Sequence, residues 1–181
     1  ATAAPPAAVE ANEARLGEAM LAALRRNAPA ARLDPAAFTI RFHGPELPGE
    51  PPDSGPVQLD VPSYSGSATV RYRGGYGVLT IGVRAAKPGT GLLACSAPRP
   101  MPTCAGSTGP DGERIVTLTD GRAGSDPSGT FDIGIVIQRL NGVVVTVAHK
   151  GETGKAGAGE PTPPLSVKQL TDIGLDPRIT V

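Results

Sequence analysis

Tryptophan is absent from the 181-residue chain, and tyrosine and phenylalanine occur three times each. Sugar-cleaving sites combine paired carboxylates with aromatic platforms, so this stock argues against glycoside chemistry. Histidine and cysteine are equally scarce, with two of each. Zinc takes four such ligands, and His43 and His149 each stand alone in the chain, far from the other candidates. No metal and no cofactor is expected. Net charge is missing too, since 17 basic residues balance 17 acidic ones. That balance removes the main electrostatic drive toward nucleic acid or an anionic membrane surface. No stretch approaches the ~20 consecutive apolar residues of a membrane span. Ala1–Ala8 lacks the basic start and apolar centre of a signal peptide.

Glycine and proline fill the space, at 24 and 20 residues, and hold the apolar share to 39%. They belong in connections, so the expected core is smaller than the length suggests. Residues 1–6 read as a tether following an anchor outside this sequence, and residues 7–181 as a single extracytoplasmic domain. Cys95 and Cys104 flank a proline-rich run, Ser-Ala-Pro-Arg-Pro-Met-Pro-Thr. The pair lacks the C-x-x-C spacing of a redox couple, and a structural disulfide is the plain reading. Such a bond implies an oxidising compartment and adds about 2–3 kcal/mol at best for so short a loop.

Leu16, Met20 and Leu24 recur at spacing four from Ala7 to Ala28, with Glu10, Glu13, Arg15, Glu18, Arg25 and Arg26 between them. This is an amphipathic helix, stopped by Asn27 and Pro29. Phe38, Ile40 and Phe42 alternate with Thr39, Arg41 and His43, as in a half-buried strand. Gly44–Pro62 reads as a long loop. Ala68–Val83 reads as a hairpin turning at Gly74-Gly75, with Arg73 opposite Tyr76 and Arg71 opposite Val78. Gly91–Cys95 is expected to be a short strand, and Glu113–Asp120 another, opened by Pro110-Asp111-Gly112. Phe131–Lys150 is expected to turn at Asn141-Gly142, a strong hairpin signal. That turn would place Ile133, Ile135 and Ile137 on one face with Val144 and Thr146. Val136, Val143, Val145 and Val147 would share the other. With both faces apolar, these strands should lie centrally. Ser166 and Gln169 form a capping box for a last helix, stapled by Leu165 and Leu170 and ended by Gly174. The sum is an α+β domain: an antiparallel sheet of about five to seven strands with an N-terminal and a C-terminal helix packed against it.

No reaction centre is legible, and the expectation is no enzyme and no catalytic residue. The G-x-S-x-G elbow is absent. Gly151-Glu152-Thr153-Gly154-Lys155 lacks the hydroxyl that a phosphate loop needs after its lysine. His43 and His149 read as strand-edge residues. The polar face of the first hairpin gathers Arg71, Arg73 and Tyr76, residue types that suit a partner-binding patch.

Pro110-Asp111-Gly112-Glu113-Arg114, the cysteines before it, the Asn-Gly hairpin and Pro163-Pro164-Leu165-Ser166-Val167-Lys168-Gln169-Leu170-Thr171 with Asp176-Pro177-Arg178 carry a likeness. Over roughly residues 91–178 the chain resembles actinobacterial extracytoplasmic lipoproteins and the outer domains of envelope-stress (sigma factor and sensor kinase) regulators. The resemblance implies a negative regulator contacting a membrane-anchored sensor kinase or anti-sigma ectodomain. It carries no catalytic residue. Two other readings compete. A small apolar-ligand carrier would hold a cavity between sheet and helix. A cryptic hydrolase would place His43 or His149 within hydrogen-bond reach of a serine or carboxylate.

Overall fold

The computed structural model describes residues 6–34, 38–43, 61–72, 75–86, 91, 95, 103–119, 130–152 and 165–181. Two helices, α1 (Pro6–Asn27) and α2 (Val167–Gly174), accompany seven strands. These are β1 (Thr39–His43), β2 (Ser63–Tyr72), β3 (Gly75–Ala85), β4 (Thr103–Thr108), β5 (Arg114–Thr119), β6 (Thr130–Gln138) and β7 (Val143–Glu152). All pair antiparallel in one sheet of order β1-β2-β3-β7-β6-β5-β4. The α+β expectation holds, and β7 is the central strand.

The helical stripe does what its spacing predicts. Leu16, Met20 and Leu24 are buried, together with Ala19 and Ala23 between them. They pack with Ile40, Tyr64, Ala68, Val70, Leu79, Ile81 and Val83 from β1–β3. Helix α2 lies on β6 and β7 and touches α1. Its capping box forms as read: the Gln169 amide donates to Ser166 Oγ at 3.2 Å, and the Ser166 amide to Gln169 Oε1 at 2.9 Å. Leu165 and Leu170 are fully buried.

The helix ends at Gly174 as expected, but not through a left-handed cap. The cap residue Leu175 keeps a right-handed backbone (φ −78°), so no left-handed glycine ends this helix. Gly174 instead permits close packing on the sheet. A Cβ there would lie 2.7 Å from Ile137 Cδ1 and 3.0 Å from Val147 Cγ2. Gly174→Ala should therefore destabilise the fold by about 1 kcal/mol or more in chemical denaturation, although alanine favours helix. A stabilised variant would refute this packing account.

Both hairpins correct the expected registers. In the first, Tyr72 pairs with Gly75, Arg71 with Tyr76 and Ala68 with Leu79. The strands thus turn back between Tyr72 and Gly75, one position earlier than read. The pairing shifts by two residues, an even number, so the apolar face survives. In the second, Gln138 pairs with Val144 and Ile135 with Val147. Here the shift is odd and the partners change face: Val145 and Val147 join the isoleucines under the helices, while Val144 and Thr146 join Val136 on the other side. The cause is an extra loop residue, Leu140, with Gly142 taking a left-handed backbone at φ +82°. The Gly142 amide donates to Arg139 O at 3.0 Å, and the Arg139 amide to Val143 O at 2.8 Å. That is a three-residue loop ending in a left-handed glycine, not a two-residue turn. The β4–β5 loop repeats it at Gly109–Glu113, with Gly112 at φ +86°.

The strand expected over 91–95 is not found at its described residues, Gly91 and Cys95, neither of which belongs to a strand. The strand beside the cysteines is β4, which begins at Thr103 inside the supposed loop. The disulfide itself forms, joining Cys95 to Cys104 on β4. Among the described residues no helix is long and apolar enough to cross a membrane.

Candidate binding face

Alternation along each strand sends one set of side chains under the helices and the other to the opposite face of the sheet. On β1–β3 this second set is polar. Arg41 lies opposite Ser65, Thr39 opposite Ser67, and His43 opposite Ser63. On the far side of β2, Ser63 faces Arg84, Ser65 faces Gly82, Ser67 faces Thr80, and Thr69 faces Val78. Hydroxyls tie the rows together, with Ser67 Oγ and Thr80 Oγ1 at 2.8 Å. Ser63 Oγ donates to His43 O at 3.2 Å. Farther along the sheet the same face turns apolar, through Val144 and Thr146 on β7, Val136 on β6, and Val116 and Leu118 on β5, and there Val144 and Val116 are buried.

Three arginines stand on the polar part: Arg41, Arg71 and Arg84. The ion pairs found among the described residues involve other cations, namely Arg26 and Arg178 with Asp176, and Lys168 with Asp172. Glu13 of α1 instead accepts the Phe42 amide at 2.7 Å. Glu13 thereby occupies an outward N–H of edge strand β1, a device that discourages pairing with another chain. No described carboxylate sits on the open face of β1, β2 or β3.

Of the residues expected to form a partner patch, Arg71 is exposed and is the register partner of Tyr76. Arg73 lies outside the described residues. Sequence reading missed Arg41 and Arg84 as companions. The alternation of β1 had already put Arg41 on a polar face; what was lacking was the knowledge that β1 borders β2.

The histidines divide. His43 ends the edge strand as expected, and its Nε2 lies 2.8 Å from Ser65 Oγ on the exposed face. This meets the distance that a hydrolase would require. His149 departs from expectation. It lies within central strand β7, between Leu79 of β3 and Ile133 of β6, and is 1% exposed. Neither ring nitrogen has a hydrogen-bond partner. Burial pushes its pKa down to about 4, so the ring is neutral at physiological pH. Its neighbour across the strand pair is bare backbone: a Cβ on Gly77 would come 2.6 Å from the imidazole. Among the described residues no group of three or more His, Cys, Asp or Glu side chains is placed to hold a metal ion.

No protein-family model, curated protein or solved structure matches this chain.

Proposed function

We propose that this chain is an extracytoplasmic regulatory module that docks a membrane-anchored signalling protein on the open face of β1–β3. The observation that carries the reading is the set Arg41, Arg71 and Arg84, without carboxylate partners among the described residues. Helices occupy the opposite face, and on this one Thr39, Arg41, Ser67, Thr69 and Arg71 are exposed. Arginine combines contact area with directional donors, and a carboxylate-free patch on a chain of zero net charge favours an acidic partner. The Cys95–Cys104 bond supports an oxidising compartment. The likeness to envelope-stress lipoproteins supports a sensor-kinase or anti-sigma ectodomain as the partner, held in check by this module.

The carrier reading finds less support. Large side chains with no exposure, among them Leu16, Met20, Leu79, Ile135 and Leu170, occupy the sheet–helix interface. The hydrolase reading has the contact between His43 and Ser65 in its favour. That pair lies on an exposed sheet face, and none of the hydrogen bonds found joins His43 to an orienting carboxylate.

Arg71→Ala should leave the fold intact and weaken capture of the partner ectodomain from envelope membranes by about tenfold, the effect of a modest hot spot. Unchanged capture by the variant would remove this end of the face from the docking surface.

A further inference from the structure

The two edges of the sheet are guarded unequally. At β1 the Glu13 carboxylate takes the outward amide of Phe42, and Arg41 places a charge in mid-strand. At the other edge β4 reads Thr-Cys-Ala-Gly-Ser-Thr, without the charge or proline that usually discourages pairing with another chain. Ala105, Gly106, Ser107 and Thr108 are all exposed.

The β4–β5 loop fixes which backbone groups of β4 point outward. The Gly109 amide donates to Glu113 O at 2.9 Å, so Gly109 faces β5. Antiparallel pairs alternate, so Ser107 and Ala105, opposite Ile115 and Thr117, also bond toward β5. Cys104, Gly106 and Thr108 therefore direct their N–H and C=O groups away from the sheet. None of the hydrogen bonds found among the described residues uses those groups. A row of backbone donors and acceptors suits one kind of ligand, another extended chain.

We propose that β4 pairs antiparallel with β4 of a second copy of this chain, about a two-fold axis at Gly106. Gly106 then meets its own counterpart, and Cys104 meets Thr108. This register brings all three outward residues into the ladder. A slip of one pair in either direction would set one of them against Pro102 or Pro110, which have no N–H to give. Charge and bulk select a second copy as the occupant. The side chains brought together, from Cys104, Ala105, Ser107 and Thr108, are small and uncharged, so pairing strips no ion of its water. Zero net charge removes long-range repulsion between copies. The same symmetric pairing at β1 would set Arg41 against its counterpart, a like-charge pair. Pairing β4 with β4 occupies that edge in both copies, so the assembly closes as a dimer. One six-residue strand is small beside the ~1,600 Å² of a standard interface, so the dimer is weak and concentration-dependent.

This pairing goes beyond the docking reading and is separate from it, because β4 and β1 are the opposite edges of the sheet. The two-fold axis stands perpendicular to the sheet, so both arginine faces look to the same side. Sedimentation of the oxidised full chain from micromolar to millimolar concentration should show a monomer–dimer equilibrium. Amide shifts of Cys104, Gly106 and Thr108 should follow concentration, with Arg71 unmoved. A Cβ on Gly106 would meet no heavy atom within 4 Å, so the monomer accommodates substitution there. Gly106→Ala should keep the dimer. Gly106→Lys sets two ammonium groups across the axis and should weaken it about fivefold or more. An equimolar mixture of Gly106→Lys and Gly106→Glu should associate again, a recovery that misfolded variants would not give. A monomer at every concentration would overturn the pairing and leave β4 to a strand from another protein. A dimer that Gly106→Lys does not weaken would overturn it as well. Arg71→Ala should leave association unchanged, so failure of the docking reading is seen separately.

Discussion

Acidification from pH 6.5 to pH 4 should cost the folded protein about 3 kcal/mol through His149 alone. In the unfolded chain this imidazole takes a proton near 6.5; buried in β7, it does so only near 4. Between those values the unfolded state binds more protons, so stability falls as pH falls through the window. Below it both states are protonated and the loss is complete. The physical origin is desolvation: the ring lies between Leu79 and Ile133 and against the backbone at Gly77, with neither nitrogen bonded. His149→Leu removes both unpaired nitrogens and keeps most of the packing. Its stability at pH 7 should equal or exceed that of the parent, because an unsatisfied buried polar group is lost. The decline between pH 6.5 and 4 should flatten by the same 3 kcal/mol. Urea denaturation across the pH series decides the matter; parallel curves for the two proteins would show that another group titrates there.

His149 also shows where the sequence stopped being legible. In the chain it closes an apolar run just before a glycine-rich stretch, which reads as a strand edge. Its burial follows from β7 being flanked on both sides by β3 and β6, a long-range fact that local alternation does not contain. The same division holds across the molecule. Elements specified by their own residues were readable: the Leu16, Met20, Leu24 stripe, the Ser166–Gln169 box, the hairpins themselves and the disulfide. Register in the β6–β7 hairpin was not, because Asn141-Gly142 fits two loops. A two-residue turn and a three-residue loop with left-handed Gly142 differ by one position, which swaps every partner between faces. Strand β4 escaped notice because Thr-Cys-Ala-Gly-Ser-Thr has no alternation of large apolar residues. As an edge strand with mostly exposed residues, it needs none. The candidate site followed the same rule. Arg71 was visible inside one hairpin and Arg84 lies one residue past its expected end, whereas Arg41 is brought to their surface only by β1 pairing with β2.

Loss of Arg139 should be the most damaging single change at the surface of this domain, at about 3 kcal/mol. After α2 the chain from Leu175 to Val181 forms neither helix nor strand, so most of its carbonyls need partners from elsewhere. Arg139, in the β6–β7 loop, supplies two of them and also reaches the carbonyl of the last helical residue, Gly174. It donates to Ile179 O at 2.8 Å, Gly174 O at 3.0 Å and Asp176 O at 2.7 Å. From α1, Arg15 Nη2 donates to Thr180 O at 2.7 Å. Asp176 turns its buried carboxylate to Arg26 of α1 at 3.0 Å and Arg178 at 2.8 Å. The tail thereby joins the first helix to the far hairpin and keeps Ile179 in the core. Asp176→Ala should cost less than Arg139→Ala, about 2 kcal/mol, because Arg26 and Arg178 are half-exposed and return to water when their partner is removed. The hydrogen bond from Arg178 holds the Asp176 carboxyl below the usual carboxylate range. Its contribution is therefore present above the unfolded value of 3.8 and fades only as pH falls through the lower folded value, clear of the His149 window. Arg139→Lys should recover less than half of the loss, since one ammonium cannot span three carbonyls. Urea denaturation at pH 7 measures all three variants. A cost below 1 kcal/mol for Arg139→Ala, or full rescue by lysine, would mean that water replaces the clasp and that the tail is held by Ile179 alone.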